Sequence, residues 1–271
     1  TWCRCGGART RRGPHLDVGA SGTVMSAAVF DERATLTRWA AAFTHACGWT
    51  PLLHDIARDE LPDARLFTLE FQPRLKPIEY SVGGVSVLVT PGPAGVATIW
   101  DADILIWTAT QITEALDRGG EVSPVINFHP YTLLKSIRRH TGGDQYKKLL
   151  DALRRLHTTS VETNIRQRGT KGRAFHWIEE WGHQEDENGR PIGMSITLAK
   201  WLYDGIVDAR GVLTIHPDYF VLKGGIERWL YRVARKHAGS QEGGWRFTMR
   251  QLHEKSGSMS RLANFACDIR K

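Results

Sequence analysis

The chain has 271 residues, room for one large or two modest domains. Its 41% hydrophobic and 24% charged residues are globular proportions, and no apolar run approaches the ~20 residues of a membrane-spanning helix. A net charge of +7 and a pI near 9.4 suit a polyanionic partner. The four cysteines, Cys3, Cys5, Cys47 and Cys267, are few and scattered, which fits a reducing cytoplasm better than a disulfide scaffold.

Residues 1–24 begin without Met and carry Gly, Arg and Ser with little apolar pattern. They are expected to be a disordered or non-native extension. A basic arm through Arg4, Arg9, Arg11 and Arg12 that touches DNA is the alternative. No apolar core follows them, so they are not a signal peptide. Residues 25–98 form an N-terminal segment. Leu36, Trp39, Ala40 and Phe43 predict a short helix within 31–47, and the runs 66–71 and 85–90 predict strands. Gly83–Gly84 and the PGPAG of 91–95 predict turns or a linker.

From Trp100 the period becomes helical. Ile104, Trp107, Thr108, Gln111, Ile112 and Ala115 share a face, with Asp101 and Asp103 at the start and Gly119 and Gly120 at the end. Residues 122–128 bridge to a second helix that opens at Pro130, a favoured first helical position. Leu133, Leu134 and Ile137 give it an apolar stripe, and Thr141, Gly142 and Gly143 end it. A third helix starts at Asp144. It turns Tyr146, Leu149, Leu150, Leu153 and Leu156 inward and leaves Gln145, Lys147, Lys148, Arg154 and Arg155 outside. The β-branched run Thr158, Thr159, Val161, Thr163, Ile165 predicts a strand. Arg166, Arg168, Lys171 and Arg173 then cluster around Gly169 and Gly172 at a hairpin tip. Helix, helix, helix, strand, basic tip, strand is the order of a winged helix-turn-helix. Residues 129–175 hold eleven Lys and Arg against three acidic residues, a local excess of eight that surpasses the charge of the whole chain. Such concentration is what a phosphate-binding surface needs.

An acidic turn, EDENG, lies between two further strand-like runs, and the 201–207 run is expected to be a short helix broken at Gly205. Residues 211–215 predict a strand. A second set of helices follows: one burying Ile226, Trp229, Leu230 and Val233, one from Thr248 carrying Met249 and Leu252, a turn at Ser256 and Gly257, and a last one burying Leu262, Phe265, Ala266 and Ile269. Ser258 or Ser260 caps this last helix, and Ser260, Arg261 and Asn264 face outward, side-chain types that read base edges. The expected fold is therefore α+β, with tandem winged-helix domains. The first spans 99–185 and the second 186–271; the second is either truncated before its wing or wingless.

Catalytic motifs are missing. There is no G-x-x-x-x-G-K-[ST], no His-x-His with a partner Tyr and no H-E-x-x-H, so the expectation is a non-enzyme with no metal and no cofactor. GDQYKK and RGTKGR are better read as turn and wing than as phosphate loops. His176 is expected to be packed rather than ligating, and Glu179, Glu180, Glu185, Asp186 and Glu187 to be solvated rather than cation-binding. Trp177, Trp181, Trp201 and Trp229 could stack on single-stranded bases, but their spacing fits core packing.

DADILIWTATQITEALDRG together with HPYTLLKSIRRHTGGDQYKKLLDALRRLHTTSVETNI closely resembles the plasmid replication initiator protein A family, as do SITLAKWLYDGIV and the LTIHPDYF and GGIERWLYRVARKHAG runs. The resemblance covers residues 65–271. It implies tandem winged-helix units that bind repeated sites in double-stranded plasmid origin DNA and help open the duplex, in the bacterial cytoplasm with the plasmid. It also implies a host replication initiator and replicative helicase as partners, a homodimer, and a part in copy control. It brings no catalytic residues. A winged-helix repressor and an origin-processing primase or nickase are the rival readings.

Overall fold

The computed structural model describes residues 66–82, 85–164, 172–208, 213–237 and 245–271, with strands β1 (Asp17–Gly19), β2 (Gly22–Met25) and β3 (Trp39–Ala41). Arg166, Arg168 and Lys171 lie outside the described residues. β1 and β2 form an antiparallel pair in the stretch expected to be irregular. β3 corrects part of the helix expected over 31–47. Paired with a distant strand, these residues satisfy their backbone groups across a sheet rather than along a helix.

β4 (Ile78–Val82) and β5 (Val85–Thr90) make a hairpin. The 66–71 run is not a strand: Leu66, Phe67, Thr68 and Leu69 are all buried, and only Thr68 makes a bridge, to Thr98. With no alternation of faces there is no one-sided strand to form.

The helices come next. α1 (Ala102–Asp117) is buried all round over its first nine residues, so it runs through the core rather than along its edge. β6 (Val125–Phe128) leads into α2 (Pro130–Ser136), whose N-cap is His129, its Nδ1 accepting from the Tyr131 N–H. α3 (Gly143–Thr158) follows after a short turn. Leu133, Leu134 and Ile137 of the first limb and Leu149, Leu153 and Leu156 of the second are at most 2% exposed, the packing that the periodicity predicts.

Two hairpins follow α3, and they join different sheets. β7 (Ser160–Thr163) and β8 (Arg173–His176) pair with each other, and β7 also pairs with β5, which gives a sheet ordered β4-β5-β7-β8. β9 (Ile178–Glu185) and β10 (Pro191–Leu198) form the second hairpin, and β10 pairs with β6 in the order β6-β10-β9. The boundary expected at 185/186 therefore falls inside a hairpin.

α4 (Lys200–Asp208) runs through Gly205 unbroken, which corrects the expected break. β11 (Leu213–Ile215) pairs with β3. A 3-10 turn (Pro217–Val221) connects to α5 (Gly225–His237), β12 (Trp245–Phe247), α6 (Met249–Ser256) and α7 (Leu262–Ile269). This helix, strand, helix, helix order repeats that of α1, β6, α2 and α3. β12 pairs with β2. Gly257, at φ 65, closes α6 in the left-handed conformation. Gly225 touches the backbone of residue 69: a Cβ there would run into the Leu69 carbonyl, so α5 starts hard against the N-terminal segment. One buried cluster runs from Leu66 through α1–α3 to Trp229, Leu252 and Phe265. The molecule is mixed α+β.

Candidate nucleic-acid interface

α3 presents one outward edge. Lys147 and Lys148 are exposed, Gln145 is half-buried, and Arg154 is exposed with its guanidinium 2.7 Å from Asp151. An ion pair in water at that exposure is weak, so Arg154 can exchange Asp151 for a phosphate.

Arg155 is different, and it corrects the outward placement expected for it. Its Nε and Nη2 donate to the two oxygens of Asp101 at 2.7 and 2.8 Å, and Asp101 is 2% exposed. The Asp101 hydrogen bonds raise the Arg155 pKa above its ordinary value against the opposing effect of burial. Arg155 is a structural cation. Helical periodicity places it at the edge of the outer face but cannot show that a buried carboxylate waits there.

The basic hairpin rises from the C-terminal end of α3. Thr163 and Arg173 are its last described pair, and Arg173 is exposed. The Trp177 N–H donates to the Leu156 carbonyl at 3.2 Å and turns the chain back along α3 into β9. The β9–β10 hairpin, with Glu179, Glu180, Glu185, Asp186 and Glu187 against Arg190, is the acidic one. It reaches α3 through the Tyr146 hydroxyl, which donates to Glu185 at 3.3 Å.

Between α2 and α3 the chain makes a tight stop. Arg138 has φ 55, and the Arg139 N–H reaches back to Leu134 O at 2.8 Å. This is a Schellman-type ending with Arg where glycine is usual. It turns the Arg139 side chain inward, where Nη2 donates to Trp100 O at 2.6 Å and to Asp103 at 3.0 Å.

In the second run, Thr248 and Gln251 form a capping box on α6. Arg261, not Ser258 or Ser260, is the N-cap of α7 and makes no side-chain cap bond. The serines are occupied by the turn: Ser258 and Ser260 hydroxyls lie 3.1 Å apart, and His253 Nε2 meets the Ser260 carbonyl as a donor at 2.7 Å. Ser260 is thus half-buried, whereas Arg261 and Asn264 are exposed on one end of the helix, with Arg246 and Arg250 exposed on the preceding elements. The segment before β4 clips this turn: Arg74 Nη1 donates to Gly257 O at 2.7 Å and Glu70 accepts from the Met259 N–H at 3.1 Å.

Trp177, Trp201 and Trp229 are buried and belong to the core; Trp181 is half-buried and stacks on His183. His176 corrects the packed reading: it is exposed, with Nδ1 3.2 Å from Thr159 O. Among the described residues no group of three or more His, Cys, Asp or Glu could hold a metal ion, and no helix is long and apolar enough to cross a membrane. Sequence reasoning missed Asp101 and Asp103 as receptors for arginine. Two acids in one first helical turn that is otherwise wholly apolar were the available signal.

The family model for replication initiator protein A matches residues 58–271. A putative replication protein of Wigglesworthia glossinidia brevipalpis is 34% identical over 197 residues, 71% of each chain. Two crystal structures of RctB domains 2 and 3 share the fold at 12% identity. One has a TM-score of 0.59 over 84% of both chains; the other has 0.53 over 76% of this chain and 79% of that one. The chain belongs to the replication initiator protein A family.

Proposed function

We propose that the chain is a non-enzymatic initiator that binds repeated sites in a double-stranded plasmid origin and promotes its opening. Both helix runs are read as winged-helix-type units. In the first, β9–β10 lies where a wing belongs, on the strand between helices one and two, so this unit extends to residue 198 and β7–β8 is an insertion. The observation that carries the reading is the positive excess confined to residues 129–175. Within it Arg139 and Arg155 are held by Asp103 and Asp101, whereas Lys147, Lys148 and Arg154 lie exposed on α3 and Arg173 on the strand that follows. Lys147 and Lys148 with Gln145 face a major groove, and Arg166, Arg168, Lys171 and Arg173 follow phosphates. Arg261 and Asn264 supply base contacts from α7. Recruitment of a host initiator or helicase, self-association as a homodimer and a cytoplasmic location belong to the same reading and rest on family membership.

The test is footprinting of the purified chain on the DNA that encodes it. Protection of direct repeats, weakening steeply with salt, is the expected result. Uniform weak binding without protected repeats would overturn the proposal, and nicked or primed product in the presence of divalent metal would overturn the non-enzymatic part.

A further inference from the structure

Two aspartates open α1, and both are out of solvent: Asp101 is 2% exposed and Asp103 0%. Asp101 is engaged by Arg155 of the same helix-turn-helix. Asp103 is held from two sides. Arg139, in the turn between α2 and α3, approaches it at 3.0 Å, and Arg228, on α5 of the second run, at 2.6 Å. Arg228 is itself 3% exposed and makes two more directed bonds, from Nε to Leu222 O at 2.8 Å and from Nη2 to Phe220 O at 3.1 Å. One guanidinium therefore holds the 3-10 turn that connects the runs, the helix that begins the second run and the carboxylate that begins the first.

Apolar surfaces that pack against each other can slide with little change in area. A buried carboxylate between two arginines cannot, because each donor must stay within hydrogen-bond geometry or leave a charge uncompensated in the interior. Such a joint adds little net stability but specifies an arrangement. The arrangement it specifies is that of the turn before α3 relative to the first helix of the unit that carries α7.

We propose that Asp103 is a positioning residue which, through Arg139 and Arg228, sets the relative placement of the two helix-turn-helix units and so the separation between two DNA half-sites that the chain accepts. This rests on the reading that both units contact duplex DNA. The aspartate touches no DNA; it acts on specificity through the geometry of the units.

The test uses the full chain. Sites selected by the wild-type protein from a random duplex pool define the cognate sequence, and a series of duplexes then separates its two halves by inserts up to about one helical turn. The wild type is expected to lose about tenfold or more in affinity when about 5 base pairs, half a turn, are inserted, and to recover part of it at a full turn. Arg228→Met is expected to bind the whole series within about threefold, while its affinity for each isolated half stays that of the wild type. Should Arg228→Met lack native helix content by circular dichroism, Asp103→Leu combined with Arg228→Met removes both charges and carries the same comparison. A folded variant that keeps the wild-type spacing profile, with only a lowered melting temperature, overturns the proposal. So does a wild type whose affinity ignores the spacing. A wild type that selects no sequence at all overturns the underlying DNA reading as well, and the two failures are thus distinct.

Discussion

The two hairpins that follow α3 differ in charge and in what they pair with. Arg166, Arg168 and Lys171 stand between β7 and β8 in the sequence and Arg173 opens β8, yet β7 lies on β5, in a sheet completed by the N-terminal segment. β9–β10 is paired with β6, between the helices, yet it carries five acidic residues and one arginine. Only Trp177 separates β8 from β9. Position and charge are thus divided between two hairpins: the one paired with the strand between α1 and α2 is acidic, and the basic run lies with the one paired to β5. Topology and electrostatics must therefore be read separately before residues are assigned to a DNA surface.

The largest effect is expected where the hairpins meet. Trp177 is fully buried, stacks on Phe67 at 4.8 Å and meets Phe175 edge-on. Trp177→Ala should cost about 3–5 kcal/mol of stability, as truncation of a buried aromatic does. It should also loosen both hairpins together. A urea midpoint matching the wild type would show that the hairpins are anchored elsewhere.

The next effect lies on the helix beneath them. Arg155→Ala leaves Asp101 buried without its partner and should cost about 2–4 kcal/mol, discounted from a fully buried pair because the Arg155 side chain is 23% exposed. Its DNA salt slope should not change. Lys148→Ala should do the reverse, with stability within about 0.5 kcal/mol and a shallower slope. If Arg155→Ala flattens the slope while melting normally, Arg155 leaves Asp101 to meet DNA.

The helices between residues 100 and 158 were legible because Pro130 and the leucine stripes point the same way, but the end of α2 was not: expected at Thr141–Gly143, it falls at Arg138 in the left-handed conformation, and Gly142 is instead the N-cap of α3. The charge excess was legible, since it needs only counting. What could not be read is long-range. Which hairpin pairs with β6 is a choice between partners distant in sequence, and both candidates alternate acceptably. β4 was missed because Ile78-Glu-Tyr-Ser-Val is short, follows Pro77 and becomes a strand through its partner β5. Arg155 looked outward because its helical position was right and its receptor, Asp101, is fifty-four residues away. The outward residues expected at the start of α7 were half legible: Arg261 and Asn264 are exposed, but Ser260 is taken up by the turn.

The hairpins can also be compared through DNA itself. Changing Arg166, Arg168, Lys171 and Arg173 to Ala should flatten the dependence of log affinity on log salt by about 0.9 for each phosphate no longer neutralised, on cognate and random duplex alike. Changing Glu185 and Glu187 to Gln should leave the slope alone and raise affinity a few-fold at low salt, through removed repulsion that screening weakens. An unchanged slope in the first variant would detach the basic hairpin from DNA. Weaker binding by the second would mean that the acidic hairpin makes a favourable contact, and the division of labour between the hairpins would fail.

The smallest effect concerns the side-chain bond between α3 and the acidic hairpin. Tyr146 donates to Glu185 at 3.3 Å, and burial, then the charge of Glu185 and this bond, raise its pKa above the ordinary phenol value. A folded-state pKa raised above the unfolded one means that the contribution is complete below about pH 10 and is lost as pH rises through the folded value. Tyr146→Phe should therefore cost about 0.5–1 kcal/mol at neutral pH, the net value of one partly exposed hydrogen bond. The gap between variant and wild type should then close in alkali, where the wild type must either keep a neutral phenol or place a phenolate beside a carboxylate. Urea midpoints from about pH 8 to about pH 11, a range that brackets the ordinary phenol value, measure this directly. A gap that stays constant across the range would mean that the Tyr146 ring packs on α3 without bonding Glu185, and that the acidic hairpin is held to α3 by its other contacts, among them His157 Nδ1 at 3.2 Å from the Ile178 carbonyl.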